Sequence, residues 1–285
     1  EANNMGNGIA NDDYVTTSNI NTVETLDVSY SQISDLTGLS GFTSLQVLYC
    51  QDNQLTTIDV SKNTVLNRLR CDSNQLKSLD VSNNTALTDL FCNDNQLTIL
   101  DVSNNTTLTY LQCQSNQLTS LDVSNNTALY HLDCWDNQLT NLNVNGATAL
   151  TNLFCNDNQL TILDVSNNTA LTYLQCQSNQ LTNLDISGAT DLYRLYCGFN
   201  QLTNLDVSNN TNLLWLRCWD NQLTTLDVSA NTALGDLRCQ NNQLTNLDLR
   251  NNTDLYNLDC SKNKFDCESL RTEQLADYLK RKKQD

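Results

Sequence analysis

Proline is absent from these 285 residues, histidine occurs once, and only 16% of positions carry a charged side chain. With His131 as the sole imidazole, histidine metal sites and Ser/His or Cys/His relays lack their raw material. No stretch approaches the roughly 18 consecutive apolar residues that cross a bilayer. Lys and Arg number 15 against 32 Asp and Glu, and the formal charge of −17 repels nucleic acid and anionic membranes alike. The length would serve two ordinary domains. Low charge, no proline, and Asn, Leu, Thr and Asp recurring at fixed intervals describe a repeat array instead, with too much regularly spaced Leu and Cys for disorder.

The cysteines give the period: Cys50, Cys71, Cys92, Cys113, Cys134, Cys155, Cys176, Cys197, Cys218, Cys239 and Cys260 lie 21 residues apart. Around each runs one phrase, Leu87-Thr-Asp-Leu90-Phe-Cys92-Asn-Asp-Asn95-Gln-Leu97, continued by Thr98-Ile-Leu100-Asp101-Val102-Ser-Asn-Asn-Thr106. This is the leucine-rich-repeat template with cysteine in the third apolar slot. In Leu90-Phe91-Cys92 the alternation puts Leu and Cys on one side and Phe on the other, a short strand. One repeat cannot bury its apolar side, but stacked repeats build a parallel sheet over a continuous core, on the order of 50 Å long at about 4.8 Å per strand. Leu100-Asp101-Val102 also alternates and predicts a shorter ladder on the far wall, where a 21-residue turn leaves no room for a full helix.

The expected fold is an α/β-class leucine-rich-repeat solenoid, mainly β. A curved parallel sheet forms its concave face, short strands and turns its convex face, and both ends are capped. Residues 1–22 are an N-terminal extension or cap, and 23–265 hold one atypical first repeat and eleven Cys-bearing repeats. Residues 266–285 are a helical cap in which Leu270, Leu275, Tyr278 and Leu279 share a face. Lys280 to Lys283 then suit the helix C-terminus or form a docking segment.

The column Asn53, Asn74, Asn95 onward to Asn263 falls where the chain leaves the strand, placing an amide where it can bridge backbone groups of adjacent turns. Asp59, Asp80, Asp101, Asp122 onward to Asp248 form a second column. Stacked carboxylates repel, so a cation is one reading. Asn143 interrupts the series with an uncharged acceptor, which favours turn bonding. The periodic cysteines read as a reduced, buried ladder of small hydrophobes. Parallel side-chain vectors strain a bridge between neighbours, and a Cys260–Cys267 bridge stays open.

The 21-residue Cys-bearing repeat with Leu-Asp-Val-Ser-Asn-Asn-Thr after each strand resembles the internalin J-like type of bacterial leucine-rich repeat, where stacked cysteines replace a leucine column. Gly8-Ile-Ala-Asn-Asp-Asp-Tyr14 through Ile33-Ser-Asp-Leu-Thr-Gly is similar to secreted leucine-rich-repeat proteins of flavobacteria. The resemblance implies surface display, adhesion or partner binding and transfers no catalytic residue. The chain begins at Glu1 with neither Met nor an apolar leader, which reads as a secreted or cell-surface protein whose signal peptide has been removed. A cytosolic protein with an arbitrary start is the alternative.

While the wall phrase is nearly constant, the outward strand positions change at every turn. They carry Phe91, Tyr110, His131, Trp135, Phe154, Tyr173, Arg194, Tyr196, Phe199, Trp215, Arg217 and Trp219, including all three Trp and the only His. Aromatics mixed with Arg and Asp are the composition of binding patches. Unrestrained drift would favour small polar residues, as in the convex Ser-Asn-Asn-Thr. Residues 86–119 nearly recur at 149–182, so part of the pattern is duplication. The expectation is a monomeric, non-catalytic module needing no cofactor or metal, which binds a protein through the concave face around Trp215, Trp219, Arg217, Tyr196 and Phe199. A polysaccharide lying along Phe91, Tyr110, Trp135, Phe154 and Tyr173 is the alternative. Asp89, Asp94, Asp133, Asp136, Asp157 and Asp236 leave a glycoside-active enzyme as a remote one, since carboxylates on an open, wet sheet lack the split environments of an acid/base pair.

Overall fold

The computed structural model describes residues 20–265, which fall into two compact units within Glu1–Gln138 and Leu139–Asp285. The first unit holds β1 (Thr25–Asp27), β2 (Val47–Tyr49), β3 (Arg68–Arg70), β4 (Asp89–Phe91), β5 (Tyr110–Gln112), β6 (Ser120–Asp122) and β7 (His131–Asp133). All but β6 join in a parallel ladder without slippage, Val47 opposite Arg68, then Asp89, Tyr110 and His131. The atypical first repeat pairs across its longer spacing, Leu26 opposite Leu48.

The second unit holds β8 (Asn141–Asn143), β9 (Asn152–Phe154), β10 (Ile162–Asp164), β11 (Tyr173–Gln175), β12 (Asn183–Asp185), β13 (Arg194–Tyr196), β14 (Trp215–Arg217), β15 (Asp236–Arg238) and β16 (Asn257–Asp259). Its main ladder places Asn152, Tyr173, Arg194, Trp215, Asp236 and Asn257 in one row. Each unit is thus a parallel β-solenoid. Within residues 23–265 helix is confined to one 3-10 turn, Leu39–Gly41. The expected C-terminal helix, the basic tail and Cys267 lie outside the described residues, as does most of the N-terminal extension.

The core follows the alternation. Leu90 and Cys92 are fully buried while Asp89 and Phe91 are half-exposed, and Leu97 and Val102 of the same turn close the interior. Each buried Leu contributes about 1.5–3 kcal/mol. The cysteines from Cys50 to Cys239 are buried free thiols. Their Sγ atoms donate to carbonyls of the following strand, Cys50 to Arg70 O at 3.2 Å and Cys155 to Gln175 O at 3.4 Å. A thiol therefore serves both as a small hydrophobe and as a weak donor. Burial pushes the Cys50, Cys155 and Cys197 thiols up to about 12.

The asparagine column does what its position predicts. Asn74 Nδ2 donates to Cys50 O of the preceding turn at 3.0 Å and to Cys71 O and Asp72 O of its own at 3.2 Å, while its Oδ1 accepts from Leu55 N at 2.9 Å. Asn179 repeats the pattern with Cys155, Cys176, Gln177 and Leu160. The aspartate column closes turns: Asp59 Oδ1 accepts from Ser61 N at 2.9 Å, Asp206 from Ser208 N at 2.9 Å, and Asn143 from Asn145 N at 3.2 Å. The serine hydroxyl, then the serine N–H, holds the Asp59 and Asp206 carboxyls below the ordinary carboxylate value.

Two expectations change. The second ladder is local: β10 and β12 pair in the second unit, but the same phrase is irregular in most turns. Nor is Ser-Asn-Asn-Thr merely a solvated phrase. The asparagine at its third position is fully buried at Asn63, Asn84, Asn105, Asn126, Asn168, Asn210 and Asn231. Asn84 Nδ2 donates to Val60 O at 3.0 Å and Asn63 O at 2.9 Å, supplying backbone acceptors that burial deprives of water. In the second unit Ala147 and Ala189 interrupt this column, each after a glycine. A Cβ on Gly188 would stand 1.8 Å from Ser166 O, so that turn sits closer to its neighbour than an Asn-bearing one.

Candidate binding site

Because Leu and Cys of each strand point inward, the two residues flanking the Leu must point out. In the first unit Arg70 lies over Phe91 at 5.2 Å, and Phe91 meets Tyr110 at 5.3 Å. Tyr110 stacks on His131 at 4.2 Å with planes 5° apart. His131 Nε2 stands 3.2 Å from Asp133 Oδ1, and Gln112 Nε2 donates to Asp133 Oδ2 at 2.7 Å. Burial raises the Tyr110 hydroxyl pKa, with the Asp133 charge adding to it. Trp135 follows β7, half-buried.

The second unit concentrates the aromatics and arginines. Phe154 meets Tyr173 at 4.9 Å and Tyr173 meets Tyr196 at 5.5 Å, both edge-on. Arg194 lies over three rings, Trp215 at 4.2 Å, Tyr193 at 5.2 Å and Tyr173 at 5.3 Å. Arg217 lies over Tyr196 at 4.5 Å and reaches Asp236 at 3.1 Å, which also takes Arg238 at 3.4 Å. At the strand exit Phe199 and Trp219 meet at right angles, 6.1 Å apart.

The structure therefore divides the expected Trp215–Arg217–Trp219 cluster into three neighbourhoods. Trp215 belongs with Arg194 and Tyr193, Arg217 with Tyr196 and Asp236, and Trp219 with Phe199. Side chains on alternate positions of one strand are spread along it, whereas register partners on adjacent strands are about 5 Å apart.

Sequence reasoning missed Tyr193 and Tyr256. Trp215 Nε1 donates to Tyr256 Oη at 3.1 Å, and a Cβ on Gly235 would stand 2.5 Å from the Tyr256 ring. The signal was legible: the position before the strand is Tyr130, Tyr193 and Tyr256 at 63-residue spacing, against Gln46, Asn67, Thr88, Thr109, Thr151, Thr172, Leu214 and Gly235 in the other Cys-bearing turns.

The carboxylates of the face are engaged. Asp89 pairs with Arg68 at 3.2 Å, while Asp94 and Asp157 accept from Asn93 and Asn156 at 2.7 Å. Asp136 accepts from Ser115 at 3.1 Å. Their arrangement forms ion pairs and turn contacts. Among the described residues no group of three or more His, Cys, Asp or Glu could hold a metal ion, and no helix is long and apolar enough to cross a membrane.

The family profile for leucine-rich repeats (two copies) matches residues 21–63, and that for the LVIVD repeat matches 92–112 and 155–176. No curated protein matches the sequence. Among solved structures, the functional domain of InlJ from Listeria monocytogenes, which includes a cysteine ladder, is 40% identical with a TM-score of 0.71. That match covers 87% of this chain, which spans 60% of the length of InlJ's solved chain. An internalin (InlF) of Listeria monocytogenes is 26% identical over 90% of this chain and 86% of its own, with a TM-score of 0.68. The plant peptide hormone receptor RGFR1 in complex with RGF2 is 25% identical over 81% of this chain and 42% of its own, with a TM-score of 0.73. The ladder register, the buried thiol and asparagine columns, and these likenesses lead to one conclusion: the chain is a leucine-rich-repeat solenoid with a buried cysteine column, similar in this to the InlJ domain.

Proposed function

We propose that the chain is a non-catalytic binding module, secreted or displayed at the cell surface, that as a monomer recognises a protein partner through the concave face of its sheet. The observation that carries this reading is the second-unit face, where Arg194, Arg217, Trp215, Tyr196 and Tyr173 are held against one another and none fills the core. Aromatic and arginine side chains are where interface energy concentrates. The likeness to internalins supports surface display, and a structural neighbour is a receptor in complex with RGF2.

A polysaccharide remains the second reading because aromatics recur along the sheet. Ring geometry argues against it. Platforms for a sugar chain need roughly coplanar faces, but Phe154–Tyr173, Tyr173–Tyr196 and Tyr193–Trp215 cross at 85°, 80° and 67°. Only Tyr110 and His131 stack in plane among the described ring pairs.

The test is a capture assay on immobilised protein, against extracellular protein extracts and a glycan array in parallel. Trp215→Ala with Trp219→Ala should leave the fold intact and weaken the captured protein by about 2 kcal/mol or more, near thirtyfold. Full affinity in that variant, or capture of glycans alone, would overturn the reading.

A further inference from the structure

We propose that strands β13–β15 seat the carboxylate of an acidic peptide segment on Arg194, with an apolar side chain of the same segment against Phe199 and Trp219. The proposal rests on the protein-binding reading above and names the chemistry of its ligand.

Charge is the first observation. The outward residues of these strands are Arg194, Tyr196, Trp215, Arg217, Asp236 and Arg238, three guanidiniums against one carboxylate, in a chain of formal charge −17. Arg217 and Arg238 converge on Asp236 at 3.1 and 3.4 Å. Arg194 enters no ion pair among the described residues. Three rings surround it instead, which restrains the guanidinium without consuming its donors. A restrained fork whose N–H groups enter no ion pair among the described residues matches a planar carboxylate. Arg194 Nε is buried without a hydrogen-bond partner, so part of the group's hydration is already lost, and an anion at its outer edge offsets that loss.

The apolar end is the second observation. In other turns the residue at the left-handed turn position is Asp52, Ser73, Asp94, Ser178, Asn241 or Lys262, and Phe199 adopts the same φ of +52°. A bulky residue there is strained, and Phe199 stays 54% exposed instead of entering the core. Gly198 allows the Trp219 ring onto the backbone beside it, since a Cβ would stand 2.6 Å from that ring. Positions 194 and 199 are five residues apart, at most about 16.5 Å of chain at about 3.3 Å per residue, within the reach of four or five extended peptide residues. Arg194 covers the Trp215 ring, which leaves that ring unsuited to stack a sugar.

The probe is a phage-displayed library of random dodecapeptides, selected in parallel on the wild-type chain and on Arg194→Gln. Wild type should enrich peptides with Asp or Glu about four residues from an aromatic or Leu. The strongest, made synthetically, should bind Arg194→Gln at least tenfold more weakly. Its own Glu→Gln or Asp→Asn form should lose as much on wild type, and the two changes combined no more than either alone. Phe199→Asn should weaken binding while keeping the acidic requirement. A melting temperature within about 5 °C of wild type in each variant controls for folding, and Arg194→Lys, which keeps the charge without the planar fork, gives a second contrast. Selected peptides without an acidic position, or indifferent to Arg194, overturn this proposal and leave the protein-binding reading standing. Recovery of no peptide from wild type overturns both. Polygalacturonate that binds more tightly than any peptide, and is lost in Arg194→Gln, overturns the peptide assignment in favour of an acidic polysaccharide.

Discussion

Arg194 holds its guanidinium 4.2 Å from the centre of the Trp215 ring, its register partner on the adjacent strand, with both side chains outside the core. A double-mutant cycle with Arg194→Gln and Trp215→Ala, read in denaturant melts, should give a coupling of about 0.5–1 kcal/mol, the range for a partly exposed cation–π pair. A coupling near zero would mean that the two side chains do not hold each other in solution.

Asn95→Ala leaves Leu76 N without its acceptor and takes one of two donors from each of Cys71 O, Cys92 O and Asn93 O, which keep Asn74 Nδ2, Asn116 Nδ2 and Ser73 N. A buried N–H without a partner is costly, so the variant should lose about 1–3 kcal/mol in urea unfolding. Asn104→Ala removes one exposed bond to Ser82 O at 3.3 Å and should change stability by less than about 0.5 kcal/mol. Equal losses would deny the ladder its role.

These two asparagines show how much of the molecule could be read in advance. Period, register, thiol column and strand-exit asparagines are legible because each is fixed by alternation within one turn. The buried Asn84 column is not, because Ser-Asn-Asn-Thr looks like a solvated loop until the neighbouring turn supplies Val60 O and Asn63 O. The site was half legible. Outward positions follow from the strand, but which residues touch depends on register partners one turn away. Arg194 therefore joins Trp215, and Trp219 leaves it.

The thiols should resist modification. Native protein at pH 8 should show few reactive groups, and at least ten of the 12 cysteines should react after denaturation without reductant. Cys155→Ser should cost about 1–3 kcal/mol through the buried hydroxyl. Because folding raises Cys50, Cys155 and Cys197 from 9.0 to about 12, their contribution is complete below pH 9 and declines as pH climbs towards 12. The melting temperature should therefore fall across that alkaline window.

The aspartate column has the opposite sign. Turn hydrogen bonds hold Asp59, Asp80 and Asp101 below 3.8, so their contribution is present above that pH and lost as pH falls through the lowered values. Melting temperatures should be flat from neutrality to about pH 5 and drop below about pH 4, while EDTA at neutral pH leaves them unchanged. A large EDTA effect would turn the column into a cation site.

Phe199→Asn should raise stability by about 1 kcal/mol, since asparagine tolerates the left-handed φ of +52°. The same change should reduce partner affinity, the trade expected where strain is kept for binding. A stabilised variant with full affinity would assign Phe199 to chance.

Asn74 reaches backward, bonding Cys50 O and Leu55 N of the turn before it, and Asn179 does the same for Cys155 O and Leu160 N. The array therefore has a direction. On a ribosome, where the amino end emerges first, a turn stays short of these partners until the next 21 residues have been synthesised. Each completed turn finishes its predecessor, so a turn satisfies these backbone groups only when the one after it is folded against it. An insertion of whole turns, such as the 63 residues (three turns) that separate the near-copies at 86–119 and 149–182, leaves that order undisturbed, because every inserted turn brings the amide its predecessor requires.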